Sequence, residues 1–303
     1  MKIGYPCINL ALDCSGSKTF RLKSYSEQRL TETVENNLGC LMRILEFNVK
    51  HRIAFFRISS DLIPFASHPI NTYNWQQHFR DKFEEIGDFI KKNEMRISMH
   101  PDQFTLINSL KEDIFQRSVR ELAYHAEILD LMQLDASAKI QIHVGGVYQD
   151  KKASMQRFAY RFSQIEDSIR MRLVIENDDT LFNLDDCLQI NEETGVPVLL
   201  DVFHHRVNST SATVSQALKL TQKTWSGKKH GVPMVDYSSQ RLDGSPRAHS
   251  ESIDPADFLS FLEETKPVDF DVMLEIKDKE KSAVKAIALA SRDPRFADCL
   301  LSY

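Results

Sequence analysis

Five apolar runs in this chain end on side chains that can hold a metal ion. Val174-Ile175 ends in Glu176, Leu199-Leu200 in Asp201 and Met273-Leu274 in Glu275. Ile97-Ser98-Met99 ends in His100, and Ile140-Gln141-Ile142 ends in His143. Taking an isolated carboxylate out of water is costly, so such a group is normally paired, hydrogen-bonded or bound to metal. One alone is more often a satisfied core group than a ligand. Five together, with no matching set of Arg or Lys at neighbouring run ends, point to metal. Mixed imidazole and carboxylate donors suit zinc, manganese or iron better than calcium. Bridging carboxylates permit two or three ions, and such clusters stabilise both the attacking and the leaving oxygen in phosphodiester cleavage.

Further candidates lie close by. His68 sits in Pro64-Phe65-Ala66-Ser67-His68-Pro69, and His204 follows Asp201 in Asp201-Val202-Phe203-His204-His205. Asp236 lies on another apolar run and His249 on the loop beyond it. His51, His78 and His125 fall inside helical patterns, where packed or solvated roles are expected; His205 and His230 take no assignment.

A cluster drawn from many run ends needs a scaffold that aims them at one place. Short apolar runs recur at Lys2–Asn9, Phe55–Ser60, Arg96–His100, Ile140–Gly145, Arg172–Glu176, Pro197–Val202, Val232–Ser238 and Asp271–Ile276. Amphipathic segments lie between them. Leu30, Val34, Leu38, Leu41 and Leu45 recur at helical spacing after a capping-box signal, Ser24-Tyr25-Ser26-Glu27. Phe115, Val119, Leu122, Ala126 and Leu129 do the same. Repeated strand–helix order implies an α/β fold with a parallel sheet. Eight units predict closure into a single (β/α)8 TIM barrel, with an open doubly wound sheet as the alternative. In such a barrel the active site lies at the C-terminal strand ends.

The length of 303 residues fits one barrel with insertions, and no linker or composition break divides it. One domain over residues 1–303 is expected. Apolar residues make up 42% and charged residues 27%, as in ordinary soluble proteins. No apolar stretch suits a membrane span, and the start lacks a signal-peptide pattern, so a cytoplasmic protein is expected. Cys7, Cys14, Cys40, Cys187 and Cys299 are odd in number without C-x-x-C pairing, which predicts buried thiols and no disulfide framework. The net charge of -5 argues mildly against nucleic acid, although carboxylates gathered at a metal site contribute to it. Ser226–Gly231, with Lys228, Lys229 and His230, reads as an exposed basic loop that DNA phosphates could meet.

The motifs together resemble the UV damage endonuclease family. They are Gly4-Tyr5-Pro6 with Asn9, Arg57-Ile58-Ser59-Ser60, His100-Pro101-Asp102-Gln103-Phe104, His143-Val144-Gly145-Gly146 and Glu176-Asn177-Asp178. Asp201-Val202-Phe203-His204-His205, Ser238-Ser239-Gln240 and His249-Ser250-Glu251 complete the order. The resemblance implies a TIM barrel related to endonuclease IV and, more distantly, to xylose isomerase. It implies manganese as the usual metal, and cleavage immediately 5′ to a UV photoproduct in double-stranded DNA, leaving a 3′-hydroxyl and a 5′-phosphate. It implies His100, His143, Glu176, Asp201, His204, Asp236, His249 and Glu275 as ligands, with His68 close to the metals. Glu176, Glu275 and His68 would be catalytic. Gln103 and Phe104 would fill the gap left in the duplex, Tyr5 and Asn9 would line the lesion pocket, and the enzyme would act as a monomer.

Two departures stand out. The aromatic probe in relatives is often Tyr and is Phe104 here, which stacks but cannot donate a hydrogen bond. Relatives often carry on the seventh strand a lysine, thought to be carboxylated, followed two positions later by a histidine; here these are Met234 and Asp236. The summed charge of the two positions is the same in both versions. Rival readings are a metal-dependent sugar isomerase or epimerase on the same barrel, an abasic-site endonuclease and a non-catalytic DNA-binding barrel. An exposed Gln103-Phe104 pair has no evident task in the first.

Overall fold

The computed structural model describes residues 1–241 and 247–296. Eight strands appear in the predicted places: β1 (Ile3–Pro6), β2 (Phe55–Ile58), β3 (Arg96–Met99), β4 (Lys139–His143), β5 (Leu173–Glu176), β6 (Val198–Asp201), β7 (Met234–Tyr237) and β8 (Asp271–Leu274). They pair in chain order, all parallel, and β8 returns to β1 through Ile3↔Val272 and Gly4↔Met273. The sheet is therefore a closed TIM barrel, and the open-sheet alternative is excluded. After the strands, in order, come the main helices α1 (Glu27–Lys50), α2 (Arg80–Lys92), α3 (Glu112–Leu131), α4 (Lys151–Phe162), α5 (Leu184–Thr194), α6 (Val214–Gln222), α7 (Pro255–Glu264) and α8 (Glu280–Ala290).

The strands are short because only the barrel wall needs extended backbone. Their residues are buried on both faces, which is why they read as unbroken apolar runs. One face packs outward on the helices, as Leu173 and Ile175 do in the main core. The other fills the barrel: Phe55, Val174, Leu199, Met234 and Met273 form a separate cluster with Trp225. At Gly4 a Cβ would lie 2.0 Å from the Phe55 carbonyl oxygen, so β1 can approach β2 only with glycine there.

Helix α1 buries Leu30, Val34, Leu38, Leu41 and Leu45, as the spacing predicts. Its cap differs. Ser26, not Ser24, accepts the Arg29 N–H, so the helix opens two residues later than the capping-box signal implied. The cysteine expectation also needs correcting. Cys14 and Cys40 form a disulfide with Cα atoms 5.8 Å apart, tying the loop after β1 to α1. Their separation of 26 residues carries no local signal; only the folding of that loop against the helix brings them together. Cys187 is a buried free thiol, Cys7 is half-buried, and Cys299 lies outside the described residues. Among the described residues no helix is long and apolar enough to cross a membrane.

His125 is buried in α3, where its Nδ1 meets the Glu121 carbonyl at 2.7 Å and its Nε2 lies 3.1 Å from Ser60 Oγ. Burial lowers its pKa to about 4, which fits the packed role expected of it. The basic segment 226–231 precedes β7, at the N-terminal end of the barrel. It therefore lies away from the C-terminal strand ends, against the suggestion of DNA contact at the same face. His230 there is buried beside Lys139 at the start of β4, with Nζ and Nδ1 2.9 Å apart. His205 is also buried, bonded to the Ala212 carbonyl at 2.9 Å.

Candidate metal centre

Side chains alternate along a strand, so a residue two positions beyond a barrel-filling one points inward one layer higher. Val174 leads to Glu176, Leu199 to Asp201, Met234 to Asp236 and Met273 to Glu275. The apolar layer beneath therefore fixes the direction of four carboxylates at the C-terminal mouth. His143 ends β4 and His100 follows β3 directly. The short helix Val202–Val207, capped at its N-terminus by Asp201, carries His204.

His100, His143 and Glu176 bring ligand atoms within 4.8 Å of one another, as do Glu176, Asp201 and Asp236. Glu176 Oε1 lies 2.8 Å from His143 Nε2 and 3.0 Å from His100 Nε2. Burial opposes the charged form of Glu176, but His143 and His100 outweigh it and hold the carboxyl well below the usual range. Burial likewise disfavours the imidazolium of His143, yet Glu176 raises its pKa to about 9. Asp201 is pushed up to about 6, chiefly by burial, with His204 opposing the rise. His204 itself is raised against its burial by Asp201, whose Oδ2 lies 3.2 Å from Nδ1.

Three of the four candidate ligand histidines are held in the manner of metal ligands, while Nδ1 of the fourth, His143, is buried without a hydrogen-bond partner among the described residues. His100 Nδ1 donates to the Pro101 carbonyl at 2.6 Å, His204 Nδ1 to that of Asn177 at 3.1 Å and His249 Nδ1 to that of Glu275 at 2.6 Å. A carbonyl can only accept, so each of these rings carries a proton on Nδ1 and leaves Nε2 as the atom a metal could take, the usual way a ligating histidine is oriented. This donor set fits divalent ions.

Sequence reasoning missed a cation. Arg57, two positions beyond Phe55, is buried inside the mouth. Its Nη2 donates to Asp236 Oδ1 at 2.9 Å, Asp236 Oδ2 at 2.7 Å and Gln141 Oε1 at 2.7 Å, while Nη1 donates to Glu275 Oε1. The expectation of no Arg or Lys matching the acids is thus corrected at one position. The signal was present: a lone arginine in the apolar run Phe55-Phe56-Arg57-Ile58. Burial would lower the Arg57 pKa, but Asp236 and Glu275 raise it. Burial raises that of Asp236 and Arg57 opposes the rise. Glu275, despite burial, is held down at about 2 by Arg57.

The remaining candidates lie around this centre. Gln103 and Phe104 are exposed on the loop after β3, with Phe104 72% exposed. The Phe104 N–H is held by Asp102 Oδ1 at 2.8 Å. His68 is exposed outside both ligand groups and shares a cavity of about 340 Å³ with Asp102, Phe104 and Arg117. Tyr5 and Asn9 are brought together but buried: Asn9 Nδ2 donates to the Tyr5 hydroxyl at 2.7 Å, which donates to Asn48 at 2.7 Å. A second cavity, about 390 Å³, runs from Gln103 past His100 and His143 to Gly145, Asp178 and Leu181. Gly145 has φ 114°, and a Cβ there would meet Asn108 Oδ1 at 2.3 Å.

Fold and site together define a class: a TIM barrel with a histidine–carboxylate cluster at its C-terminal mouth. Within that class the chain belongs to the UV-endonuclease UvdE family, whose sequence model matches residues 1–294. The UV DNA damage endonuclease of Clostridium perfringens (strain 13 / Type A) is 42% identical over 288 residues, covering 95% of this chain and 70% of that protein. The crystal structure of SacUVDE matches with a TM-score of 0.93 at 43% identity, over 98% of this chain and 100% of that one. Endonuclease IV from Thermus thermophilus shares the fold, with a TM-score of 0.57 at 13% identity over 83% of this chain and 94% of that one.

Proposed function

We propose that this chain is a metal-dependent endonuclease that hydrolyses the phosphodiester immediately 5′ to UV photoproducts in double-stranded DNA. Pyrimidine dimers and 6-4 photoproducts are the lesions, and abasic sites a further substrate. Family membership supports the choice of substrate. The observation that carries the chemistry is the convergence of His100, His143 and Glu176 at the root of the exposed Gln103–Phe104 turn.

His100, His143 and Glu176 would hold ions on one side of the centre, and Asp201, His204, His249 and Glu275 on the other. Two or three ions are expected, manganese first and zinc as the alternative. When bound, divalent ions acidify water and offset charge on the departing 3′ oxygen. The chain's own part would be orientation: the carbonyl-held imidazoles of His100, His204 and His249, and a Glu176 gripped through Oε2 by Gln141, would keep the donors aimed before DNA arrives. Leaving the stack costs a nucleotide least where a lesion has weakened pairing. Gln103 and Phe104 would occupy the vacated space, with the phenyl ring stacking on a neighbouring base. The cavity of about 390 Å³ beside them falls in the size range of ligand pockets and would receive the extruded nucleotide. His68, at the rim beside Phe104, would meet the DNA there.

Supercoiled plasmid, irradiated or not, separates this reading from its rivals. Nicking of irradiated plasmid alone, dependent on manganese and ending 5′ to the dimer in a 3′-hydroxyl, is the expected result. Equal nicking of both plasmids, or nicking only at abasic sites, refutes the assigned lesion.

A further inference from the structure

The floor of the centre is built differently from its rim. Asp236 accepts from Arg57 Nη2 on both oxygens, at 2.9 and 2.7 Å, and from Gln141 Nε2 on Oδ2 at 2.6 Å. A carboxylate has about four lone-pair sites, so most of its accepting capacity is used. Gln141 is equally committed. Its Oε1 accepts from Arg57, and its Nε2 donates both to Asp236 and to Glu176 Oε2. The reverse amide orientation would aim an oxygen at two carboxylates. Arg57, Gln141 and Asp236 are buried at 3%, 0% and 0% exposure.

The network also sorts the oxygens of its neighbours. Glu176 Oε2 is held by Gln141, while Oε1 faces His143 and His100. Glu275 Oε1 is held by Arg57. Each acid is thus gripped from the floor by one inner oxygen, and the other oxygen of Glu176 is turned toward the candidate ligands His143 and His100.

We propose that Asp236 is not a metal ligand but the internal counter-ion of Arg57, and that Arg57 and Gln141 are positioning residues that lock Glu275 and Glu176 by their inner oxygens. The proposal rests on the metal-binding reading above. The oxygens of Glu176, Asp201 and Asp236 are close enough to share a cation, but a permanent guanidinium already stands against Asp236 and repels a second positive charge. Glu176, Asp201 and Glu275 then carry the anionic charge that the ions meet.

The test is manganese stoichiometry and affinity by elemental analysis and titration calorimetry, with electron paramagnetic resonance of the bound ion. The key variant is the double substitution Arg57→Met with Asp236→Leu, because a buried ion pair can often be replaced by apolar residues without loss of fold. It should bind as many ions per chain as wild type, with affinity within about threefold, a changed manganese spectrum and kcat lower by about tenfold at unchanged KM. Loss of one ion per chain, or binding weaker by more than about tenfold, makes Asp236 a ligand and overturns the proposal. An unchanged spectrum with unchanged kcat overturns the positioning role. Asp236→Asn, measured the same way for ion number and affinity, decides the ligand question if the double variant does not fold. Wild type that binds no divalent ion would instead sink the metal-binding reading itself, a result distinct from either outcome.

Discussion

His143 and Glu176 are register partners on β4 and β5, and His143 Nε2 lies 2.8 Å from Glu176 Oε1. Parallel pairing puts the two residues at one level, so no loop is needed to bring them together. Their contact joins one corner of the centre directly from strand to strand.

Glu176→Gln keeps the volume of the side chain and removes its charge. Incision of irradiated plasmid should fall at least about a hundredfold, since each 1.36 kcal/mol is worth tenfold in rate. The circular-dichroism spectrum should be unchanged and the manganese content reduced. Activity within about tenfold of wild type would remove Glu176 from the catalytic centre.

Gln103→Ala with Phe104→Ala should weaken binding to a dimer-containing duplex by about tenfold or more, because a stacked aromatic is worth about 1–3 kcal/mol per base. Metal content should stay at the wild-type level, as neither side chain touches the cluster. Equal loss of affinity for damaged and intact duplex would make the pair general DNA contacts.

Removing divalent ions with a chelator should abolish nicking without unfolding the barrel, whose core of apolar clusters does not depend on the mouth. Adding manganese back should restore it. Full activity in protein shown by elemental analysis to be metal-free would end the metal-dependent mechanism.

Lys139 provides a test away from the centre. It is fully buried at the start of β4, donating to the Met171 carbonyl at 2.7 Å and contacting His230 Nδ1. Burial, with Arg96 and Arg172 nearby, lowers its pKa to about 7, against about 10.4 in an unfolded chain. Between those values the unfolded chain holds a proton that the folded chain has lost, so this group makes stability rise with pH. The denaturation midpoint should climb from pH 7 to pH 9, and the climb should shrink in Lys139→Met. Parallel curves for the two proteins would show that Lys139 does not titrate in this window.

The sequence by itself determined the eight strand–helix units and the acids and imidazoles that end the strands. Both signals are local. An apolar run bounded by helical periodicity reads as a buried strand, and Glu176, Asp201, His100 and His143 are its visible ends. The motif order also pointed to the family. What only the tertiary structure decided is how charges cancel. Arg57 and Asp236 stand 179 residues apart. Nothing between them announces the pair; strand alternation turns both inward, and barrel closure sets them face to face. Gln141 looked like one polar residue in an apolar run, and became the link between Glu176, Asp236 and Arg57 only once three other strands, β2, β5 and β7, brought those groups to it. Cys14 and Cys40 met for the same kind of reason, through a loop folded back on α1. Periodicity along a chain reports which side of its own element a residue occupies, but what stands opposite is fixed by packing between elements distant in sequence.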